Sequence, residues 1–89
     1  MPALNGAIMK KVSMYTLSTC PWCKKTKKFF TEREIKFDYI DYDLADAAAQ
    51  KRIIADMERY GATGFPFVMI EDDTIEGYNP DRYKQLLGF

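Results

Sequence analysis

Eighty-nine residues, 47% hydrophobic and 15% aromatic, fill one domain with one modest core. That apolar content excludes a disordered chain, because it can offset the entropy of ordering. Thirteen basic and thirteen acidic side chains cancel, so no net field draws in nucleic acid or an anionic membrane. Met1 to Met9 lacks the basic start and apolar run of a secretory leader, and no stretch approaches the roughly 18 apolar residues of a spanning helix. The expectation is a cytoplasmic monomer without nucleic-acid or membrane partners, its domain at residues 10–89 behind a loose extension at residues 1–9.

Val12 to Leu17 is β-rich with an approximate period of two and reads as the first strand. The run Ser18-Thr19-Cys20-Pro21-Trp22-Cys23-Lys24-Lys25 follows at once. Pro21 suits a first helical position, where its missing N–H is an orphan anyway, and Lys24 to Arg33 are mostly good helix formers. A helix from Pro21 to Glu34 would bury Phe30 and Thr26 and expose its lysines.

Phe37 to Tyr42 reads as a second strand, with Phe37 and Tyr39 on one face and Asp38 and Ile40 on the other; Asp41, Asp43 and Asp46 punctuate its exit. Ala45 to Tyr60 carries Ile53, Met57 and Tyr60 at helical spacing, a stripe that Ile54 widens, and should pack on the sheet. Gly61 to Gly64 is a loop. Phe65 to Ile70 and Thr74 to Glu76 form a hairpin around Glu71-Asp72-Asp73. Asn79 caps a closing helix, with Pro80 first, Asp81 in the opening turn, and Tyr83, Leu86 and Leu87 on one face.

The order is βαβαββα. A crossover helix makes the first two strands parallel, and the hairpin adds an antiparallel pair. The fold class is α/β, a mixed four-stranded sheet flanked by three helices.

Both cysteines lie within one four-residue stretch. As a structural staple the pair is weak, since so short a loop gives about 2 kcal/mol against about 4.7 for a 100-residue loop. As a zinc clip it lacks ligands, for the chain has no histidine and only these two thiols. Thiol–disulfide chemistry fits better. A helix N-terminus presents unpaired N–H groups and about half a positive charge, which favours a thiolate, and no acidic residue lies between Val12 and Thr31 to oppose it.

Cys20, ahead of the helix, is the expected nucleophile, and Cys23, one turn inside, the shielded resolving thiol. Lys24, Lys25, Lys27 and Lys28 read either as a solvated helix face or as an electrostatic attraction for acidic thiols or an acidic partner, and the first reading is preferred. Trp22 either covers core or, between two reactive cysteines, forms a stacking or docking surface, and the second reading is preferred.

The element order, the Cys20-Pro21-Trp22-Cys23 motif after the first strand, the Phe65-Pro66 pair and the Gly77-Tyr78 turn before the last helix together resemble a glutaredoxin-type thioredoxin fold, over residues 10–89. The resemblance implies a small thiol–disulfide oxidoreductase acting on disulfide-containing proteins or glutathione mixed disulfides. It implies that Pro66 is cis and faces the cysteine pair, leaving the Phe65 backbone to pair with an extended thiol substrate. It also implies that Trp22 and the Gly77-Tyr78-Asn79 turn help bind glutathione, the turn holding its γ-glutamyl carboxylate on backbone N–H groups. Glutathione would be a co-substrate, with no bound cofactor and no resident metal.

Three positions depart from that pattern. The lysine that glutathione-dependent members often carry three residues before the first cysteine is Leu17, Glu76 precedes Gly77, and Pro80 removes a donor. The Gly77-Tyr78-Asn79-Pro80-Asp81 stretch is similar to the turn of NrdH-type redoxins, which draw electrons from thioredoxin reductase and reduce ribonucleotide reductase. Those redoxins usually lack Pro-Trp between their cysteines, and often carry a tryptophan where this chain has Ile75. Glutathione and thioredoxin reductase both remain as electron donors. A binding alternative is a dimer bridged by an iron–sulfur cluster on Cys20 of each chain and external thiols; Pro21, which stiffens the loop, counts against it.

Overall fold

Period-two alternation along the two inner strands gives the sheet two apolar faces, and the helices divide between them. The computed structural model describes residues 10–88; the extension expected at residues 1–9, and Phe89, lie outside them. The elements are β1 (Val12–Thr16), α1 (Pro21–Glu32), β2 (Asp38–Asp41), α2 (Ala47–Arg59), β3 (Phe67–Ile70), β4 (Asp73–Glu76) and α3 (Pro80–Leu87), with a single 3₁₀ turn at Tyr42–Leu44. The sheet order is β2-β1-β3-β4, with β1 and β2 parallel and the other two pairs antiparallel. This is a thioredoxin-like fold, in the βαβαββα order that the sequence predicts.

Val12 and Met14 of β1, with Val68 and Ile70 of β3, pack against Phe29 and Phe30 of α1 and Tyr83 and Leu87 of α3. On the opposite face, Phe67 packs with Ile53 and Met57 of α2, and Tyr15 and Met69 lie against that cluster. Burying each of these large apolar side chains stabilises the fold by about 1.5–3 kcal/mol. The core holds β1 between two layers, which fixes where its C-terminal end delivers the cysteine motif.

Several boundaries differ from the sequence reading. β1 ends at Thr16 because Leu17 leaves the sheet, its carbonyl accepting from Cys20 N at 3.2 Å. α1 stops at Glu32: Glu34 takes a left-handed φ of 56° and Ile35 N returns to Phe30 O at 2.9 Å, which folds the buried Ile35 under the helix end.

α2 starts two residues later than expected, where the Asp46 carboxylate accepts from Ala49 N at 2.8 Å. Its stripe is narrower than the spacing suggests. Ile53 and Met57 are buried, but Ile54 is exposed and Tyr60, past the helix end, is 52% exposed. The hairpin turn is two residues, Glu71-Asp72, because Glu71 accepts a φ of 52° and lets Asp73 join β4.

Candidate active site

Cys20 is the N-cap of α1, in extended conformation, and its sulfur accepts from Cys23 N at 3.3 Å. It thereby satisfies one of the orphan N–H groups at the helix start. Pro21 takes the first helical position. Cys20 is partly exposed, while Cys23 is 0% exposed, and both are free thiols. The Cys23 sulfur accepts from Leu17 N at 3.4 Å. Burial pushes the Cys23 thiol up to about 12, the Leu17 N–H pulling the other way. The expected asymmetry of one open and one sealed sulfur is therefore present in the geometry.

Trp22 is 53% exposed, so it does not cover core. Its ring stacks on Tyr78 with centroids 5.9 Å apart and planes 27° apart, and Lys25 Nζ lies 4.6 Å from the indole centroid. Thus the cysteine motif and the turn before α3 meet through two aromatic rings. Lys24 is exposed beside them.

The Phe65–Pro66 peptide is cis, and Pro66 is buried. Its carbonyl accepts from Gly77 N at 2.7 Å, which ties the two loops together. The Phe65 ring packs on Tyr42, with centroids 5.6 Å apart. Among the described residues the Phe65 backbone N–H and C=O take no part in hydrogen bonds, so both remain available to an extended ligand.

Gly77 has a φ of +91°, a left-handed conformation that favours glycine. The Asn79 side chain accepts from Arg82 N at 3.2 Å as the N-cap of α3. Glu76, one of the three departures from the family pattern, has its carboxylate at the neighbouring loop, accepting from Thr63 N at 3.4 Å. A side chain at Gly64 would crowd it, since a Cβ there would sit 3.0 Å from Glu76 Oε2.

Sequence reasoning missed what three residues do around the motif. Asp43, on the 3₁₀ turn, accepts from Ser18 N at 2.9 Å and from the Ser18 hydroxyl, and the hydroxyl bond is the main reason its carboxyl lies below the usual carboxylate range. Asp41 Oδ1 accepts from the buried Thr16 hydroxyl at 2.5 Å and from Lys27 Nζ at 3.2 Å, while the Lys27 ammonium also lies over Tyr39, 3.8 Å from its centroid. Tyr83, fully buried, donates its hydroxyl to Gly77 O at 2.6 Å. The motif's own segment is free of acids, but β2 and the 3₁₀ turn after it bring the Asp41 and Asp43 carboxylates to its shoulder, so the local field is mixed.

Among the described residues no group of three or more histidine, cysteine or acidic side chains is gathered as a metal site, and no helix is long and apolar enough to cross a membrane. A thioredoxin-like sheet that delivers a dithiol to the N-terminus of its first helix defines a thiol–disulfide exchange protein. The family model described as Glutaredoxin matches residues 12–75. The chain belongs to the glutaredoxin family of thiol–disulfide oxidoreductases.

It is 35% identical to the glutaredoxin of Methanosarcina mazei Go1, whose crystal structure superposes with a TM-score of 0.80, covering 89% of this chain and 79% of that one. It is 30% identical to glutaredoxin 3 of Escherichia coli K12 over 69 residues, 78% of each chain. It is also 29% identical to the glutaredoxin-like protein NrdH of Lactococcus lactis subsp. lactis over 75 residues, 84% of this chain and 97% of that one.

Proposed function

We propose that this chain reduces disulfides of protein substrates and glutathione mixed disulfides through Cys20 and Cys23. The Cys20 thiolate attacks one sulfur of the substrate; that S–S bond breaks, and the departing sulfur takes up a proton. Cys23 then loses its proton and attacks the Cys20 sulfur, releasing the second substrate thiol. The substrate gains two electrons and two protons, and the protein is left with a Cys20–Cys23 disulfide. Glutathione returns those electrons.

The observation that carries this reading is the contrast between a partly exposed Cys20 sulfur at the helix cap and a Cys23 sulfur sealed beneath it. In this reading an extended substrate lies against Trp22 and Tyr78, pairs with the free Phe65 backbone beside Pro66 and meets the Gly77-Tyr78-Asn79 turn, with Lys24 and Lys25 adding positive charge. The reducing cytoplasm is the compartment that suits an open dithiol. The test is a pair of variants. Cys20→Ser abolishes reduction of a model disulfide, whereas Cys23→Ser still attacks and accumulates a mixed disulfide visible by intact mass. Full activity in both variants rejects the assignment.

A second reading, an NrdH-type redoxin recycled by thioredoxin reductase, is favoured by Pro80 at the first position of α3, which removes a donor where a carboxylate would bind. Leu17 supports it too, since it supplies no cation. Parallel recycling assays with glutathione plus its reductase, and with thioredoxin reductase alone, decide between them; rapid turnover in the second system only selects the NrdH-type reading.

A further inference from the structure

A groove runs along α1 away from the dithiol, and the exchange reading uses only Lys25 and Tyr78 of its lining. Lys25, Lys28 and Glu32 share one face of α1 by their spacing, and with Arg33 just past its end, Tyr78 and the first α3 residue, Pro80, they line a groove of about 340 Å³. Phe29 forms its floor. Lys25, the lining residue nearest the dithiol in sequence, has its Nζ over the Trp22 indole.

Lys25 to Arg33 spans about 12 Å at about 1.5 Å per helical residue. An extended chain covers that distance in about four residues. The groove therefore matches a short segment that leaves the Cys20 sulfur, passes Trp22 and Tyr78, and continues beside α1.

The lining carries three cations against one acid. Arg33 lies on the Phe29 ring, 3.9 Å from its centroid, and spends one N–H on Phe29 O at 3.2 Å. Its other guanidinium donors remain for carboxylates. The acid, Glu32, is 3.9 Å from Lys28 with both side chains well exposed. Such a pair is screened and weak, so a second carboxylate readily competes for Lys28. Because the whole chain has no net charge, the attraction is local to this groove.

We propose that the groove docks an extended, acidic segment flanking the reactive cysteine of the protein substrate. Carboxylates of the segment meet Lys25, Lys28 and Arg33, and its apolar atoms lie on Tyr78 and Pro80. The proposal rests on the exchange reaction above and narrows its substrates to disulfides with Asp or Glu within about six residues of the attacked cysteine, since Cys20 to Arg33 spans about 20 Å.

Two disulfide-linked peptides differing only by Glu or Gln at those flanking positions test it, with hydroxyethyl disulfide as a small uncharged substrate. At low salt the Glu peptide should show about three- to tenfold higher kcat/KM, expressed in KM, and the advantage should fade towards unity near about 0.5 M salt. The double substitution Lys28→Glu/Arg33→Glu should invert the preference, and Lys28→Gln, a milder change at an exposed position, should give an intermediate ratio. Equal kcat/KM for the two peptides at low salt, or a ratio that neither variant moves, overturns the docking proposal while hydroxyethyl disulfide is still reduced. Failure of the unaltered protein to reduce any of the three substrates overturns the exchange reading itself, and the docking proposal with it.

Discussion

The Tyr83 hydroxyl donates to the Gly77 carbonyl at 2.6 Å, tying the buried face of α3 to the turn that precedes it. Gly77 N in turn donates to Pro66 O at 2.7 Å, and the Thr26 hydroxyl, beneath the cysteine motif, donates to Trp22 O at 2.9 Å. Tyr83→Phe keeps the ring between Phe29 and Phe30 but leaves the Gly77 carbonyl without its partner. The cost should be about 1–3 kcal/mol, a fall of several degrees in melting temperature measured by calorimetry. A melting temperature equal to that of the unaltered protein would show that water replaces the hydroxyl.

Trp22→Ala should separate activity from stability. The indole is half exposed and its main partner is Tyr78, so the fold should lose no more than about 1 kcal/mol. If Trp22 docks the substrate as proposed, reduction of peptide disulfides should weaken through KM. A drop in stability of several kcal/mol on urea titration would assign Trp22 to packing instead.

Asp43 gives an acid-side signature. Its folded carboxyl lies below its ordinary value because Ser18 donates to the charged form. The stabilisation is therefore present above pH about 4 and is lost as pH falls through the lowered folded value. Asp43→Asn should flatten the dependence of the urea midpoint on pH below about 4. An unchanged acid limb would mean that the Ser18 bonds also form in the unfolded chain.

Cys23 gives the opposite signature on the alkaline side. Burial raises its thiol from 9.0 to about 12, so the folded chain holds a proton that the unfolded chain releases. The stability this confers is complete below pH 9 and declines as pH rises from 9 towards about 12. Cys23→Ala should make the urea midpoint less sensitive to pH across that window. Identical slopes for the two proteins would place the sulfur in contact with water.

The motif's placement was legible because it depends on local signals: a β-rich run, a proline suited to a helix start and good helix formers beyond it. The same holds for α3, where Asn79 and Pro80 announce the cap. What stayed hidden arises from distant parts of the chain. Asp41 and Asp43 read as punctuation after β2, and only the parallel register of Thr16 with Asp41 brings them beside the motif. Tyr60 fits the helical period, yet it lies past the last turn of α2, where the period no longer decides burial. Glu71 and Glu34 hold left-handed conformations that their residue type does not advertise.

Both open edges of the sheet end in acids: Asp38 and Asp41 bound β2, and Asp73 and Glu76 bound β4. Whichever edges two copies bring together, β2 to β2, β4 to β4 or β2 to β4, the added ladder sets carboxylates near carboxylates, and like charges across a ladder repel. Growth of the sheet from copy to copy is thus discouraged at both margins. If Phe65 pairs with an extended substrate as proposed above, this arrangement gives selectivity: the protein lends a strand-pairing site to a substrate without lending its edges to itself.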